Sequence, residues 1–467
     1  MKNIGKFGIL FVFLFGFSWS LPIYTTVNGA SDGLIFFYQS KDVRIISAWV
    51  VSDINGDGWR EICFSFPAIL VCLDVNPANG GPKELWRSHA FHHELYGIDS
   101  GIDLDGDNIT EQLVFEMTDY YHYLVNGSTG ETIAISGTDG RRSQLYWPYT
   151  SYGRPKCGVG LGANVNGQGS NDYVIIGMKL VGEPMAVLQC IEGLNGSLIW
   201  ERELAATPYG VELIQINFTT CILAYTSENI SAYSVDGTSL WNRSAPNSII
   251  AVIPNGSGPG IDAVAVSGNG FRYINASDSS DIWTNSTNIG AVFYVGDVDG
   301  NGIGDFGALL DITAQDAVIF NGTNGDLIRH HPLQDPDDND RMHGVTYCGD
   351  IDGDGCDDYG YHGHYFPHNI YSGKTGDLLL SIYGEGFSTE YMLIESDING
   401  NGYADILFGN WPYIGAVDGS STGSVQIKYG NDIPGFPLII VLFSLIALLS
   451  LAYHKNFKFF SQPFLRK

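Results

Sequence analysis

The sequence is short of charge, and of positive charge most of all. Charged residues make up 16% of the 467 residues, and 23 Lys and Arg face 51 Asp and Glu, for a formal net charge of −28. A surface with so few clustered cations is a poor match for nucleic acid, so no nucleic-acid partner is expected. Scarce charge beside 59 Gly and 13% aromatic residues argues against long amphipathic helices and favours many short strands joined by turns.

Cysteine is also scarce, with seven residues and no Cys-X-X-Cys motif. The missing motif argues against a redox catalyst or a cysteine zinc site. In an exported chain, seven cysteines predict some disulfides and an unpaired thiol. Cys63–Cys72 and Cys348–Cys356 are candidate pairs, although spacing alone does not fix connectivity. No catalytic triad, phosphate-binding loop or paired-carboxylate motif is recognisable from spacing, so no catalytic residue is predicted.

Long apolar runs at the two ends resemble export and anchoring signals. Lys2 and Lys6 precede an apolar run too short to span a bilayer, as in a secretory signal peptide. A second run, Leu438–Tyr453, is followed by scattered Lys and Arg, which predicts a membrane span with a cytoplasmic tail. The expected organisation is a signal peptide at 1–21, an ectodomain at 22–430, a transmembrane helix at 431–454 and a basic tail at 455–467. The chain is therefore expected at the cell surface as a single-pass membrane protein.

Asn-X-Ser/Thr sequons agree with an extracellular glycoprotein. They occur at Asn108, Asn126, Asn195, Asn217, Asn229, Asn242, Asn255, Asn275, Asn285 and Asn321. Because chance sequons are common in a chain rich in Asn and Ser, they serve as supporting evidence only.

Internal periodicity is the most informative feature. Copies of one acidic frame, Asp-X-Asp/Asn-Gly-Asp/Asn-Gly-X-X-Asp/Glu, begin at Asp53, Asp103, Asp297, Asp350 and Asp397, with worn copies at Asn164 and Asn255. Their spacing is roughly 45 to 60 residues, except for one gap of about double length after Asn164. That gap fits one further repeat without an acidic loop, from near Tyr209 to Trp241.

Each repeat contains the signals for four strands. A short apolar strand precedes the acidic frame, a β-rich strand follows it, and two more strands are joined by an Asn-Gly, Asp-Gly or Thr-Gly turn. Four strands per repeat are typical of a β-propeller blade. The sequence predicts an all-β propeller of eight four-stranded blades, with seven as the alternative, and residues 34–38 are expected to pair with the last blade and close the ring.

The acidic frames have the spacing of oxygen ligands for one hard cation. Side chains at positions 1, 3, 5 and 9, with a backbone carbonyl from position 7, can converge on Ca²⁺. The predicted ligands are Asp53, Asn55, Asp57, Glu61, Asp103, Asp105, Asp107, Glu111, Asp297, Asp299, Asn301, Asp305, Asp350, Asp352, Asp354, Asp358, Asp397, Asn399, Asn401 and Asp405. The Asn164 copy is expected to bind weakly or not at all, and the Asn255 copy to bind nothing. The calcium is expected to be mainly structural.

An EF-hand is excluded by position 12 of the frame. An EF-hand requires a bidentate Glu there, whereas these loops have Phe64, Val114, Ala308, Tyr361 and Phe408. Those residues belong to the outgoing strand, so the loops connect strands.

The acidic frame followed by a strand resembles the FG-GAP repeats of integrin α-subunit propellers and their prokaryotic relatives. The Asp-Gly-Thr-Ser-Leu-Trp run at 236–241 is similar to the tryptophan motif of quinoprotein-like propellers, which have eight blades. A quinoprotein dehydrogenase would also have two adjacent cysteines, and this sequence has none. Pro-Gly-Phe at 434–436 resembles archaeal C-terminal sorting signals.

The resemblance implies that calcium loops join the first and second strands on one face of the ring. The opposite face would then carry the second-to-third and blade-to-blade connections, which are rich in aromatic and basic residues. Such side chains suit stacking and carboxylate pairing. The predicted ligand-face residues are Tyr120, Tyr121, His122, Arg141, Arg142, Trp147, Tyr365, His368, Trp411 and Tyr413.

Two functions are compatible with this organisation. The first is a non-enzymatic adhesion module that binds an extracellular glycan or a partner protein on the face opposite the calcium loops. The alternative is an enzyme that degrades polysaccharide, because eight-bladed calcium propellers resemble rhamnogalacturonan lyases. Fold resemblance does not decide between them, since propellers host both binders and enzymes.

Overall fold

The computed structural model describes most of residues 34–427. The gaps are residues 40–44, 67, 81, 90, 92–94, 105, 117–120, 136–144, 147–156, 169, 180–184, 269, 311–315, 333–341, 364–367, 385–390, 411–412 and 422. The expected signal peptide, membrane span and tail lie outside the described residues. Within the part of the chain that is described, no helix is long and apolar enough to cross a bilayer.

Thirty-four strands of the described residues form eight sheets, and these are the blades. Blade 1 contains β2 (Ser47–Val50), β3 (Ile62–Phe66), β4 (Ile69–Asp74) and β5 (Lys83–Arg87), with a 3-10 turn at Pro77–Asn79. Blade 2 contains β6 (Leu95–Ile102), β7 (Glu111–Glu116), β8 (His122–Val125) and β9 (Thr132–Ile135). Blade 3 contains β10 (Leu145–Tyr146), β11 (Gly158–Gly160), β12 (Asp172–Lys179), β13 (Met185–Glu192) and β14 (Leu198–Leu204). Blade 4 contains β15 (Pro208–Ile216), β16 (Thr219–Thr226), β17 (Asn229–Ser234) and β18 (Ser239–Ser244).

The second half of the ring repeats the pattern. Blade 5 contains β19 (Ile250–Ile253), β20 (Ala263–Val266), β21 (Phe271–Asn275) and β22 (Asp281–Asn285). Blade 6 contains β23 (Ile289–Gly296), β24 (Asp305–Leu310), β25 (Asp316–Phe320) and β26 (Leu327–His331). Blade 7 contains β27 (Met342–Gly349), β28 (Asp358–Gly363), β29 (His368–Tyr371) and β30 (Leu378–Gly384), and blade 8 contains β31 (Tyr391–Ser396), β32 (Asp405–Asn410) and β33 (Tyr413–Val417). The outermost strands β1 (Leu34–Gln39) and β34 (Gly423–Ile427) are added to blades 8 and 7.

Within each blade the strands form an antiparallel meander, and its first strand packs against the first strand of a neighbouring blade in most of the ring. The prediction of eight blades is confirmed. The double-length gap is filled by blade 4, whose first and second strands are joined by a tight turn at Asn217 and Phe218. In blade 3 the position of the first strand is shared by two short pieces, β10 and β11, which both pair with β12.

The ring is closed by the N-terminal strand. β1 pairs antiparallel with β33, so the outermost strand of blade 8 comes from the start of the described chain, as the sequence predicts. β34 then crosses back and pairs parallel with β30 on the outer edge of blade 7. Both ends of the described chain are thereby held in the sheet structure, and each covers an edge that would otherwise expose unpaired backbone groups.

The hydrophobic core is divided into clusters that lie between blades. One unites Phe36, Phe64 and Leu407 from blades 8 and 1, and another unites Phe271 and Phe306 from blades 5 and 6. A single blade has two apolar faces and no means of burying them alone, so each sheet is stabilised by its neighbours. The ring is therefore the unit of folding.

Tryptophans in the outer strands of blades 1, 3, 4 and 5 hydrogen-bond each of these blades to the next. The indole Nε1 of Trp86, Trp200, Trp241 and Trp283 donates to a backbone oxygen in the turn between the third and fourth strands of the following blade, at 2.8, 3.0, 2.7 and 2.8 Å. Arg329 makes the equivalent contact from blade 6, because its Nη2 donates to Gly373 O at 3.0 Å. These contacts correspond to the tryptophan motif identified in the sequence.

Four of the sequons form turns between third and fourth strands. The side-chain oxygens of Asn126, Asn195, Asn275 and Asn321 each accept a hydrogen bond from the backbone N–H two residues on. Asn followed by Gly or Ala and then Ser or Thr is favoured here by the turn itself. These four sequons are therefore accounted for by local folding, without reference to glycosylation.

All seven cysteines are buried, and none forms a disulfide. Cys63 and Cys72 lie directly opposite each other on β3 and β4, whereas Cys348 lies within β27 and Cys356 lies in the following loop. The two expected disulfides are therefore absent from the structure. The thiols act as small apolar groups of the core.

We expect Trp283→Phe to lower the free energy of unfolding by about 1 kcal/mol, because the ring remains while the bond to Gly322 O is lost. Urea denaturation measures the change. The control is Ile282→Ala, since Ile282 is the adjacent residue of the same strand and 39% exposed. Equal destabilisation by the two variants would show that the indole bond contributes nothing.

Candidate metal centres

The five complete acidic frames occupy equivalent places in five blades. Each joins the first strand of its blade to the second, in blades 1, 2, 6, 7 and 8. In an antiparallel meander, the first-to-second and third-to-fourth connections lie at one end of the strands, and the other connections lie at the opposite end. The acidic loops therefore share one face of the ring with the third-to-fourth turns.

Three loops bring carboxylates together at metal-binding separations. The groups are Asp53, Asp57 and Glu61 in blade 1, Asp297, Asp299 and Asp305 in blade 6, and Asp350, Asp352 and Asp358 in blade 7. In each group one ligand atom per residue lies within 4.8 Å of the others. The blade 2 loop includes Asp105, which is outside the described residues, and the blade 8 loop combines Asp397 and Asp405 with Asn399 and Asn401.

Each loop is folded around the carboxylate at its first position. Asp53 Oδ1 accepts from Gly56 N at 2.7 Å, and its Oδ2 accepts from Gly58 N at 2.9 Å. The equivalent Gly355 of blade 7 donates to Asp350 at 2.9 Å, with φ of +90°. Gly adopts this left-handed conformation most readily, and Asn tolerates it, which explains Gly at position 6 of four loops and Asn108, with φ of +67°, in blade 2. The loop geometry is thus set by backbone hydrogen bonds to the first ligand.

The acid at position 9 joins the loop to the neighbouring turn of its own blade. Asp305 Oδ2 accepts from Val298 N at 2.9 Å, and Oδ1 accepts from Gly322 N at 2.8 Å. A side chain at Gly322 would place its Cβ 2.1 Å from Gly304 O, so only Gly permits this approach. Asp358 and Asp405 make the same two kinds of bond. One carboxylate therefore holds two loops together.

Glu61 differs from Asp305, Asp358 and Asp405 because only one of its carboxylate oxygens accepts a hydrogen bond among the described residues. Oε2 accepts from Ile54 N at 2.6 Å, while Oε1 is buried without a hydrogen-bond partner among the described residues. Glu61 is 1% exposed and lies beside Asp53 and Asp57. Burying an ionised oxygen without a donor or a counter-ion is costly. The arrangement therefore fits a cation, and its all-oxygen donors favour calcium.

Burial raises the pKa of the position 9 acids. The pKa of Glu61 is raised to about 8, first by burial and then by the neighbouring carboxylates Asp53, Asp57 and Asp74. Burial and nearby Asp charges likewise raise the pKa of Asp305 to about 7. Burial raises the pKa of Asp358 and Asp405 to about 6. Without a cation, ionising these groups in the folded chain is unfavourable, and a bound cation would reverse that preference.

The degenerate loops that begin at Asn164 and Asn255 keep the hydrogen-bonded frame but lack most of the carboxylate ligands. In blade 3, Asp172 Oδ2 still accepts from Val165 N at 2.7 Å. In blade 5, Asp262 accepts from Asn255 N at 3.0 Å and from Gln215 N of blade 4 at 2.7 Å. The hydrogen-bonded frame is thus separable from the carboxylate cluster, and the weak or absent metal binding of these two loops stays a prediction.

Adjacent loops are connected through position 8. Asp357 Oδ2 accepts from the backbone N–H of Asp297 at 2.7 Å, and Asp357 N donates to Asp297 O at 2.9 Å. Arg60 N of blade 1 donates to Ile398 O of blade 8 at 2.8 Å, and Asn171 Nδ2 of blade 3 donates to Asp103 O of blade 2 at 3.1 Å. The first ligand of one loop is therefore positioned partly by the next loop in the ring.

The predicted ligand-face residues have mixed locations. His122 and His368 begin β8 and β29 and are 1% and 0% exposed, so their side chains are not at the surface, contrary to expectation. Tyr121 is partly buried against Tyr123, and Tyr413 begins β33. Tyr120, Arg141, Arg142, Trp147, Tyr365 and Trp411 lie outside the described residues. The two His were misplaced because they begin third strands whose residues are buried.

A cavity on this second face was not predicted. It has a volume of 530 Å³ and lies beside the connection from blade 4 to blade 5, with Arg243 and Arg272 in its wall. These arginines are 29 residues apart and belong to different blades. No local motif joins them, so only the packing of the blades could reveal the site.

Comparison with known proteins shows the fold alone. No family model matches the chain, and no curated protein matches it. The chain is similar to the Sqt1 structure from Saccharomyces cerevisiae, at 8% identity and a TM-score of 0.58, covering 83% of this chain and 99% of that one. It is also similar to the C-terminal WD40 domain of Sif2, at 12% identity and a TM-score of 0.52, covering 82% of this chain and 97% of that one. A third similar structure is the rhamnogalacturonan lyase YesW, at 13% identity and a TM-score of 0.52, covering 86% of this chain and 74% of that one.

In the presence of a chelator, stability is expected to fall as the pH rises from 5 to 8. Glu61, Asp305, Asp358 and Asp405 have a higher pKa when folded than when unfolded. Their favourable contribution is therefore complete below about pH 4 and is lost as the pH passes 6 to 8. Thermal denaturation at each pH measures the trend. Stability that rises across this interval would contradict the assigned pKa shifts.

Glu61→Gln should have opposite effects with and without calcium. At pH 8.5 in chelator, the variant should be the more stable by at least about 1 kcal/mol, because a buried charge is removed. In millimolar calcium it should be the less stable, because a ligand is lost. Glu84→Gln, a partly exposed acid paired with Arg87, is the control and should change little in either buffer. The same sign of effect in both buffers would argue against a cation at Glu61.

Proposed function

We propose that the chain is a calcium-binding adhesion module that binds an extracellular glycan or protein on the face opposite its acidic loops. The observation that carries the calcium part is Glu61, whose buried Oε1 has no donor among the described residues and lies beside two further carboxylates. Calcium would neutralise these clusters and stabilise the first hairpin of the five blades that have a complete acidic loop. The role is structural, as suits a site of modest affinity in a calcium-rich medium.

Binding at the opposite face is supported by the difference between the two faces of the ring. The acidic face is occupied by hydrogen-bonded loops and turns that stabilise the ring. The other face has a cavity of 530 Å³ with Arg243 and Arg272 in its wall. Loops on a rigid scaffold are the usual place for recognition.

The proposed location is the cell surface, with the ectodomain outside and one C-terminal span in the membrane. This part rests on the apolar segments at the two ends of the sequence and on the cytoplasmic preference of the basic tail. An external location also supplies the calcium that the acidic loops would need. Since four sequons are explained by turn formation, the proposal does not depend on glycosylation.

The test uses the full-length protein in detergent micelles with millimolar calcium and a panel of acidic and neutral polysaccharides. Retention on a polymer and formation of new chain ends are scored in the same samples. We expect retention without new ends, and loss of retention in chelator as the fold is weakened. New ends that disappear with chelator would contradict a binding role and support the alternative of a polysaccharide-degrading enzyme.

Two variants test which face of the propeller is responsible for retention on the polysaccharide. Trp411→Ala, at a predicted ligand-face residue of blade 8, is expected to lower retention about tenfold or more. Tyr403→Ala, an exposed residue of the acidic loop in the same blade, is the matched control and should leave retention unchanged. The reverse pattern would place binding on the acidic face.

A further inference from the structure

The cavity beside blades 4 and 5 is built from connections of the face opposite the acidic loops. Its walls include the end of β18 and the segment 245–249 that leads to β19, together with residues 288–290 at the start of blade 6. Ser267, Gly268 and Gly270, between β20 and β21, supply another wall. Ser267 Oγ accepts from Ile249 N at 2.9 Å, which joins two of these walls. The volume of 530 Å³ is in the ordinary range for a small ligand or a few residues of peptide.

The charge of this cavity is opposite to that of the protein as a whole. Arg243 and Arg272 line it, and none of the described residues in its wall is acidic. Both arginines share a single carboxylate outside the wall, because Asp281 lies 2.7 Å from Arg243 Nη2 and 4.0 Å from Arg272 Nη1. Two guanidinium groups against one carboxylate leave one net positive charge. In a chain with a net charge of −28, such a cavity favours an anion.

Arg243 is positioned before any ligand arrives. Its Nη1 donates to Ser279 O, and its Nη2 is held by Asp281, while its side chain is 18% exposed. Arg272 has a side chain that is 53% exposed and can turn toward a ligand. A fixed guanidinium beside an adaptable one suits bidentate pairing with a carboxylate.

The other residues that line the cavity indicate which class of ligand would supply the carboxylate. Ile249, Val266 and Ile289 supply apolar surface, and Asn247 and Ser248 supply short polar groups. No aromatic residue lines the described cavity, so a stacking platform for a sugar ring is missing. Aliphatic walls with a guanidinium suit an acidic side chain flanked by aliphatic residues of a peptide.

We infer that this cavity binds a peptide segment of a partner protein through one acidic side chain, set against Arg243 and Arg272. The inference rests on the proposed binding function. Of the two proposed classes of ligand it selects a protein, one that has an Asp or Glu between aliphatic residues. The aliphatic neighbours pack against the Ile and Val of the wall. Charge complementarity supplies orientation, and the apolar contacts supply the remaining affinity.

The test is an array of hexapeptides with one Asp or Glu between aliphatic residues, each beside its Asn or Gln twin, probed with the full-length protein in millimolar calcium. We expect a subset of acidic peptides to bind at least about tenfold more tightly than their amide twins. Arg272→Gln should weaken these peptides by roughly tenfold, since a charged hydrogen bond is lost. Because Arg272 is largely exposed, the variant should fold.

Arg202→Gln is the matched control. Arg202 lies in the outer strand of blade 3 and bonds to the next turn through Gly237 O at 2.7 Å, but it does not line the cavity. Equal binding of acidic and amide twins, unchanged binding by Arg272→Gln, or no binding peptide at all would overturn the inference. Polysaccharide retention without peptide binding would overturn it while leaving the proposed adhesion function intact.

Discussion

The arrangement depends above all on a carboxylate buried at the start of the second strand of a blade. In blades 6, 7 and 8 this carboxylate accepts one backbone N–H from its own acidic loop and another from the turn between the third and fourth strands. That same turn receives the tryptophan or arginine of the preceding blade at Gly322 and Gly373. The acid thereby links the hairpin of its blade to the contact between blades. Its raised pKa shows that this place is unfavourable for a charge without a nearby cation.

The blade architecture could be predicted from the sequence because its signals are local and repeated. The acidic frame, the Asn-Gly or Asp-Gly turns and the apolar strands recur at similar intervals along the chain. Even blade 4, which lacks the frame, could therefore be located from the gap it fills. The closing strand β1 was predictable because it is the fourth strand that blade 8 would otherwise lack. The position of β34 was not predictable, since its parallel pairing with β30 of blade 7 involves no hairpin turn that the sequence could signal.

The candidate sites divide in the same way. Ligand spacing within one loop predicted the clusters at Glu61, Asp305 and Asp358, because their members are at most eight residues apart. The opposite face is built from connections of several blades, and His122 and His368 were misplaced there because burial depends on the neighbouring blade. The paired Arg243 and Arg272 were missed for the same reason. The sequence predicts sites whose residues lie within one repeat, whereas sites between blades become visible only when the blades are packed together.

The central claim is that the five complete loops bind calcium, and counting the bound ions tests it most directly. Equilibrium dialysis of the full-length protein against calcium, after removal of metal by a chelator, should reach saturation at five ions per chain, with Kd on the order of 10⁻⁴ to 10⁻³ M. Asn in place of Asp53, Asp103, Asp297, Asp350 and Asp397 together should abolish this binding. Absence of saturable binding, or a stoichiometry unchanged by those replacements, would contradict the account.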